Sequence, residues 1–489
     1  MARETQTDGH VDEPVSANVS VPVATQSAWR RWRWPLAGAL VLVVLASVAY
    51  IARARSAFAQ QIAALRARGE PTSLTELADY YPAPPAETDA TALWLNAATA
   101  LERRSYASYF GNLTFFGGGD PPPPGSPWPG LPLARKVMQG AAEQMQQLHQ
   151  AAALGGRARY TTDFFGPLDH LSALRSAVRF LALQALARKY DGDLAGAAES
   201  INTALVLSQS LAEEPIFVSQ MARIGMHQTM VRLLKQIETK RLPAESLAQL
   251  QLTLSRIEFS NAMLRAAIGS RAYGLALFDD PNRYFGLGQA GYLAWLPRQG
   301  DALTYLGIMD EYIAALSLPW AESAAPLDAW AGSLDARTSK LNIFTRMLTP
   351  GLDTVAVAFR QAETLNRLAI VDVAIARFWQ RHARPPQTLD ELAPEFLPVL
   401  PVAPMTNAPF SYRATAEGYV LFCPADPQVS KSNLVPDAET GADPLLLFRW
   451  PPLPEEPKDA LTEPPAETSE DKQDAAGDET GDNSGGEVQ

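Results

Sequence analysis

At 489 residues, 47% apolar and 19% charged, the chain is long enough for roughly two or three cores and lies far from the composition of a disordered protein. Its formal net charge of −12 is local: from Glu455 onward 12 acidic residues face only Lys458 and Lys472, a net of −10, which leaves about −2 for residues 1–454. A nearly neutral body lacks the basic footprint of a nucleic-acid binder, and a single cysteine, Cys423, excludes an intramolecular disulfide and a thiolate metal cluster.

Residues 1–28 are polar, without a hydrophobic period, and are expected to form a disordered lead. Residues 36–52, LAGALVLVVLASVAYIA, then give an uncharged run at the lower edge of what spans a hydrocarbon core. Trp29, Trp32, Trp34 and Tyr50 sit where amphipathic rings favour a membrane interface, and Arg30, Arg31, Arg33, Arg53 and Arg55 bracket the run with charge. We therefore expect a transmembrane anchor with its flanks over 29–55, in contact with the lipid bilayer through residues 36–52. A cleaved secretory signal is the competing reading, for which Ala52–Ala54 offers an A-x-A-like site. The long lead and the helix-forming sequence that follows, ARSAFAQQIAALRARGE, favour retention.

Residues 56–352 read as a helical domain. The first helix should run to Arg68 and stop at Gly69 and Pro71, and Ser73 with Glu76 forms a capping box for the next. The stretch FGGGDPPPPGSPWPG over 116–130 cannot be regular structure, because proline removes amide donors and glycine relaxes the backbone; it also lacks the Gly-Lys-Ser/Thr that a phosphate cradle needs. Helices are expected near 134–154, 167–190, 194–212, 215–239 and 244–273. The segment ALARKYDGDLAGAAESINTALVLSQ resembles a tetratricopeptide-type hairpin, which implies a mostly α, solenoid-like bundle. Residues 274–350 are rich in aromatics and breakers (Tyr273, Phe278, Tyr284, Phe285, Tyr292, Trp295, Trp320 and Trp330 in and beside them), the aromatics read as core and loop anchors rather than as a groove.

A strong helix begins near residue 353, with Leu365, Leu368, Val371, Ile375 and Phe378 as its apolar stripe, and ends before Pro385. Thr388 and Glu391 repeat the capping box, and the text continues through a proline-defined turn into two short strands. Pro386, Leu389, Leu392, Pro394, Leu397, Pro401, Pro404, Pro409, Phe410, Tyr412, Gly418, Tyr419 and Leu421 carry a resemblance to the C-terminal part of type II secretion pseudopilins. The same module occurs in a class of uncharacterised membrane-anchored bacterial proteins, which LRARGEPTSLTELADYYP after the anchor also resembles. The resemblance implies a small α+β module over 353–454, with a long helix feeding a short antiparallel sheet. It also implies a single-pass inner-membrane protein with its N-terminus inside and its main domain periplasmic. Ala403 stands where pseudopilins usually place an aspartate and Asn407 where they place a glycine, and PADPQ follows Cys423 in place of their acidic loop. No calcium site is therefore expected. Residues 455–489, acidic and proline-rich, are expected to form a disordered tail.

Chemistry-bearing motifs are scarce. His10, His149, His170, His227 and His382 fall in no metal-binding spacing, and no nucleophile elbow or paired serine and lysine motif occurs. The pairs Glu213–Glu214 and Asp279–Asp280 read as diverging side chains and a turn, and His227, beside Met221, Met226 and Met230, reads as a packed helical residue. No catalytic, cofactor-binding or metal-binding residue is assigned. The expected function is a non-enzymatic, membrane-anchored scaffold that binds another protein of the cell envelope and no nucleic acid. The alternatives are a hydrolase-like envelope enzyme with a dispersed site and an accessory subunit of a secretion system.

Overall fold

A computed structural model describes residues 26–105, 108–117, 119, 121–123, 125–280, 298–415, 418–424 and 446–450. The expectations for residues 1–25 of the polar lead, for Tyr284, Phe285, Tyr292 and Trp295, and for the acidic tail lie outside these residues, while residues 26–28, expected in the disordered lead, are helical because the apolar helix extends back through its tryptophan-rich flank. The fold is mostly helical, with small antiparallel sheets near the C-terminus.

Helix α1 (Gln26–Ala67) has two halves of different character. From Trp34 to Tyr50 every side chain is exposed, and this half belongs to a helix long and apolar enough to cross a membrane. Beyond Ile51 the same helix docks on the body, where Phe58, Ile62 and Leu65 pack with Leu275 and Leu306. It ends where the sequence places a stop: Gly69 takes the left-handed conformation (φ +73°), and the Glu70 N–H closes on the Leu65 carbonyl at 3.1 Å. Glu70 then accepts from Arg68 Nε at 2.9 Å and from the fully buried Arg271, whose other terminal nitrogen donates to Asp310 at 2.6 Å. This charge network fastens the end of α1 to the two helices that carry Arg271 and Asp310.

Helix α2 (Leu74–Tyr80) is capped as expected at its hydroxyl half, the Glu76 N–H donating to Ser73 Oγ at 3.2 Å; the Glu76 carboxylate accepts from Thr72. After α3 (Thr91–Ser105), the described part of the Gly/Pro stretch up to Gly130 forms no helix or strand, and Trp128 buries its ring against Tyr190. The helix expected over 134–154 is two, α4 (Leu131–Gly140) and α5 (Ala142–Ala153), separated at Ala141. Helices α6 (Asp169–Tyr190) and α7 (Leu194–Gln209) form a hairpin whose turn uses Gly192 (φ +80°) and the Asp193 cap on Gly196 N–H. Helix α8 (Phe217–Ile237) packs on both of them, and α9 (Ala244–Ser255) follows on α7.

The single helix expected over 244–273 is also two, since the chain breaks between α9 and α10 (Ser260–Asp279). The aromatic-rich stretch contains three helices that the sequence reading did not place: α11 (Arg298–Leu316), α12 (Trp320–Arg337) and α13 (Ile343–Leu348). Trp330 and Phe278 are buried there, Trp330 against Tyr312 with Nε1–H donating to the Ile308 carbonyl at 2.9 Å, as the anchor reading requires.

Helix α14 (Leu352–His382) begins and ends where its stripe predicts. The segment that follows, Leu389–Leu392, is a single 3-10 turn rather than an α-helix; the Glu391 carboxylate accepts from the Gln387 and Thr388 N–H groups, so the cap holds while the helix does not propagate. Strands β1 (Val402–Ala403) and β2 (Ala408–Pro409) pair, and a separate three-stranded antiparallel sheet has the order β3 (Ser411–Ala414), β4 (Tyr419–Phe422), β5 (Leu447–Trp450), with Tyr412 opposite Leu421 and Leu421 opposite Phe448. Two strands were expected; the third partner, β5, comes from beyond the matching text. One continuous apolar core joins Trp94 at one end of the chain to Phe448 at the other, and α14 lies against α8, α9 and both sheets.

Candidate functional site

The break between α9 and α10 exists because side chains far away in sequence satisfy the backbone groups it frees. Helix ends leave unpaired carbonyls and N–H groups that must find partners when buried. Asn366 Nδ2 donates to the Leu254 and Ile257 carbonyls at 3.1 and 3.3 Å, and Glu363 accepts from the Phe259 N–H at 3.2 Å. Both residues lie on α14. From the other side, Arg223 of α8 donates to the Glu258 carbonyl at 2.8 Å.

This stitched break forms one wall of a cleft of about 400 Å³, within the usual range for ligand pockets. The turn between α7 and α8 forms the facing wall, and Tyr80 of α2 closes one side. Gly269 permits the arrangement: a Cβ there would lie 1.8 Å from the Pro215 carbonyl oxygen, so only glycine lets α10 approach the turn this closely.

The carboxylate pair at this turn divides between the two sides of the wall. Glu213 is exposed and pairs with Arg265 at 2.9 Å, while Glu214 is fully buried, accepting from His170 Nε2–H at 3.0 Å and Ser219 Oγ–H at 2.6 Å. Divergence of adjacent side chains is what the sequence implies, and no acid–base pair results. Gln220 donates to the Leu211 and Glu214 carbonyls at 2.6 and 2.9 Å and so holds the turn from within.

Arg223, missed by the sequence reading, lines the floor. It is fully buried, its guanidinium 4.5 Å from the centre of the Phe259 ring, and its hydrogen-bond acceptors are all neutral: Gln209 Oε1, Gln220 Oε1 and the Glu258 carbonyl. Nε has no partner among the described residues. Burial lowers its pKa to about 10, and Glu363, Glu213 and Glu258 draw it back, so the group stays charged at neutral pH. Four residues along the same helix, His227 is fully buried edge-on to Phe259, its ring nitrogens unpartnered among the described residues; burial and then Arg223 push its pKa down to about 3. It is a neutral, packed imidazole.

Arg256 completes the charge pattern at the cleft mouth, exposed and without an ion pair among the described residues. The rim carboxylate Glu258 is taken up by Ser260 Oγ–H at 2.8 Å and Asn261 Nδ2–H at 2.9 Å. Arg223, Arg256 and Arg265 against Glu213 and Glu258 leave one net positive charge, and Arg256 is the exposed cation that carries it. Such a surface suits an acidic group on a partner.

Other candidate groups are placed apart from the cleft. Asp279 and Asp280 lie exposed at the end of α10, Cys423 is buried, and His382 is exposed against Phe378. A histidine–hydroxyl contact does form, Thr203 Oγ–H donating to His149 Nδ1 at 2.8 Å while Nε2–H faces Gln184 at 3.1 Å, but Thr203 is buried in the helical core. Among the described residues no three metal-ligating side chains come together. A second cleft, about 410 Å³ between α3, α4 and α6, is floored by Phe110, Leu133, Val137 and Phe180. No family model, curated protein or solved structure matches the chain.

Proposed function

We propose that the protein is a single-pass, membrane-tethered helical scaffold, with its body on the extracytoplasmic side and its polar cleft as the point where an envelope protein bearing an acidic group is recognised. The observation that carries this reading is the two-part character of α1: a bare apolar half passes without interruption into a half that docks by one face on the body. A helix continuous with the core transmits position, so the body stands at a fixed height and angle above the bilayer. A flexible linker would leave both free.

The solenoid-like reading draws support from the α6–α7 hairpin and the helix α8 stacked on it. The resemblance to pseudopilin-bearing envelope proteins agrees with α14 and the sheet that follows it. A hydrolase-like site has less support, because the hydroxyl in the histidine–hydroxyl contact that forms belongs to Thr203, which is buried in the helical core. The test is purification of the full chain from its native membrane in mild detergent, with and without Arg256→Glu. A near-stoichiometric partner that falls at least about tenfold in the variant is expected, the effect of losing about 1.4 kcal/mol of charge-assisted contact. Recovery of the chain alone, or a partner indifferent to the variant, contradicts the reading.

A further inference from the structure

The end of the body from which the bare half of α1 emerges carries a second apolar surface. The level of that end is fixed by two contacts: Arg55 Nε donates to Gln299 Oε1 at 3.2 Å, and a Cβ on Gly300 would meet the Tyr50 hydroxyl at 2.8 Å. Tyr50 is the last of the continuous exposed run on α1, so the first turn of α11 marks where the span meets the body. Helix α13 is held at this same turn. Asp301 accepts from the Phe344 and Thr345 N–H groups at 2.9 and 3.3 Å, and Asn342 Nδ2 donates to Thr304 Oγ1 at 3.1 Å.

With Phe344 and Thr345 turned inward, the outer face of this segment is left apolar: Leu341 is 66% exposed, Ile343 52% and Met347 47%. Lys340 and Arg346 stand beside them, exposed and without ion pairs among the described residues. Large aliphatic side chains flanked by basic ones are the composition of a helix lying in a membrane interface. Isolated exposed apolar side chains need no explanation, but three in one segment, at the level where an apolar span ends, do. Among the described residues the acids here are Asp301, buried on the Phe344 and Thr345 N–H groups, and Asp279 and Asp280 at the end of α10, joined to the start of α11 by Arg298 on the Asp279 carbonyl at 3.2 Å. Arg53, Arg55, Lys340 and Arg346 outnumber them.

We propose that the segment Lys340–Met347, built on α13, is a membrane foot: it rests in the headgroup region of the bilayer that α1 spans, its aliphatic face toward the acyl chains and its basic residues toward anionic headgroups. The occupant of this surface is lipid, because Gly300 and Asp301 hold the segment at the level where the apolar span ends. With one helix across the bilayer and one on it, the body has two points of support and cannot swing about α1. This inference rests on the membrane-tether reading above, and the experiment separates the two.

The full chain is reconstituted into vesicles of equal parts phosphatidylcholine and phosphatidylglycerol, with an environment-sensitive fluorophore on Ile343→Cys or, as a control at the start of α12, on Glu322→Cys; Cys423 is buried. Flotation of the vesicles reports the tether. The expected result is that both labelled chains float, that lipids spin-labelled near the headgroup quench the probe at 343 several-fold more than the probe at 322, and that adding Leu341→Glu and Met347→Glu removes the difference without releasing the chain. A floating chain whose two probes are quenched alike overturns the foot and leaves the tether standing. A chain that does not float overturns both.

Discussion

Arg223 is a buried cation whose hydrogen-bond acceptors are all neutral, Gln209, Gln220 and the Glu258 carbonyl, so the cleft floor holds a charge without a direct ion pair. Three carboxylates, Glu363, Glu213 and Glu258, act on it through space without a hydrogen bond to it, which keeps it charged at neutral pH while its Nε–H stays buried without a partner among the described residues. Gly269 is the companion residue, since it sets how closely α10 approaches the turn. Gly269→Ala is expected to cost about 1–3 kcal/mol in chemical denaturation, because the obstruction is backbone and cannot rotate away. A third residue carries a pH signature. Asp372 on α14 accepts from Tyr419 Oη–H and Thr239 Oγ–H, both at 2.7 Å, and burial raises its pKa to about 6 despite these bonds. With the folded value above the ordinary one, this group's contribution is fully present below about pH 4 and is lost as pH rises through about 6. Stability measured across that window should therefore fall with rising pH through this group, and Asp372→Asn should flatten the slope.

At the level of elements, the sequence discloses most helices and conceals where two of them break. The apolar period runs through residues 244–273 without interruption. The groups that stabilise the break, Glu363 and Asn366, lie about a hundred residues later, so no local window contains the cause. Asn366→Leu is expected to cost about 1–3 kcal/mol by leaving the Leu254 and Ile257 carbonyls without their partner, checked by the denaturant midpoint. Strand β5 escaped notice for the same kind of reason, since its pairing with β4 is long-range and its own text is only four residues. The α1 stop at Gly69 and the α6–α7 turn were legible because glycine and a capping carboxylate write their backbone conformation locally. Of the residues lining the cleft, Glu213 is the one singled out by the sequence, with Glu214 and His227 buried behind it. Arg223, an arginine on a helix like any other, gives no sign of burial until its neighbours are known.

For the whole molecule, the continuity of α1 with the core is the organising feature. Arg271 between Glu70 and Asp310 fastens the exit of that helix, while the core from Trp94 to Phe448 ties the C-terminal sheets to the same body. Truncation after residue 454 is expected to leave the melting temperature unchanged; a fall of several degrees, with a mid-size domain losing about 2–4 °C per kcal/mol, would show that the acidic tail packs on the body. The central claim is the tether itself, and alkaline extraction of native membranes followed by intact-mass measurement tests it most directly. The account predicts the protein in the membrane pellet with residues 36–52 still attached. A soluble species whose mass begins after Ala54 would mean that α1 is cut as a signal and that the body works free of the bilayer.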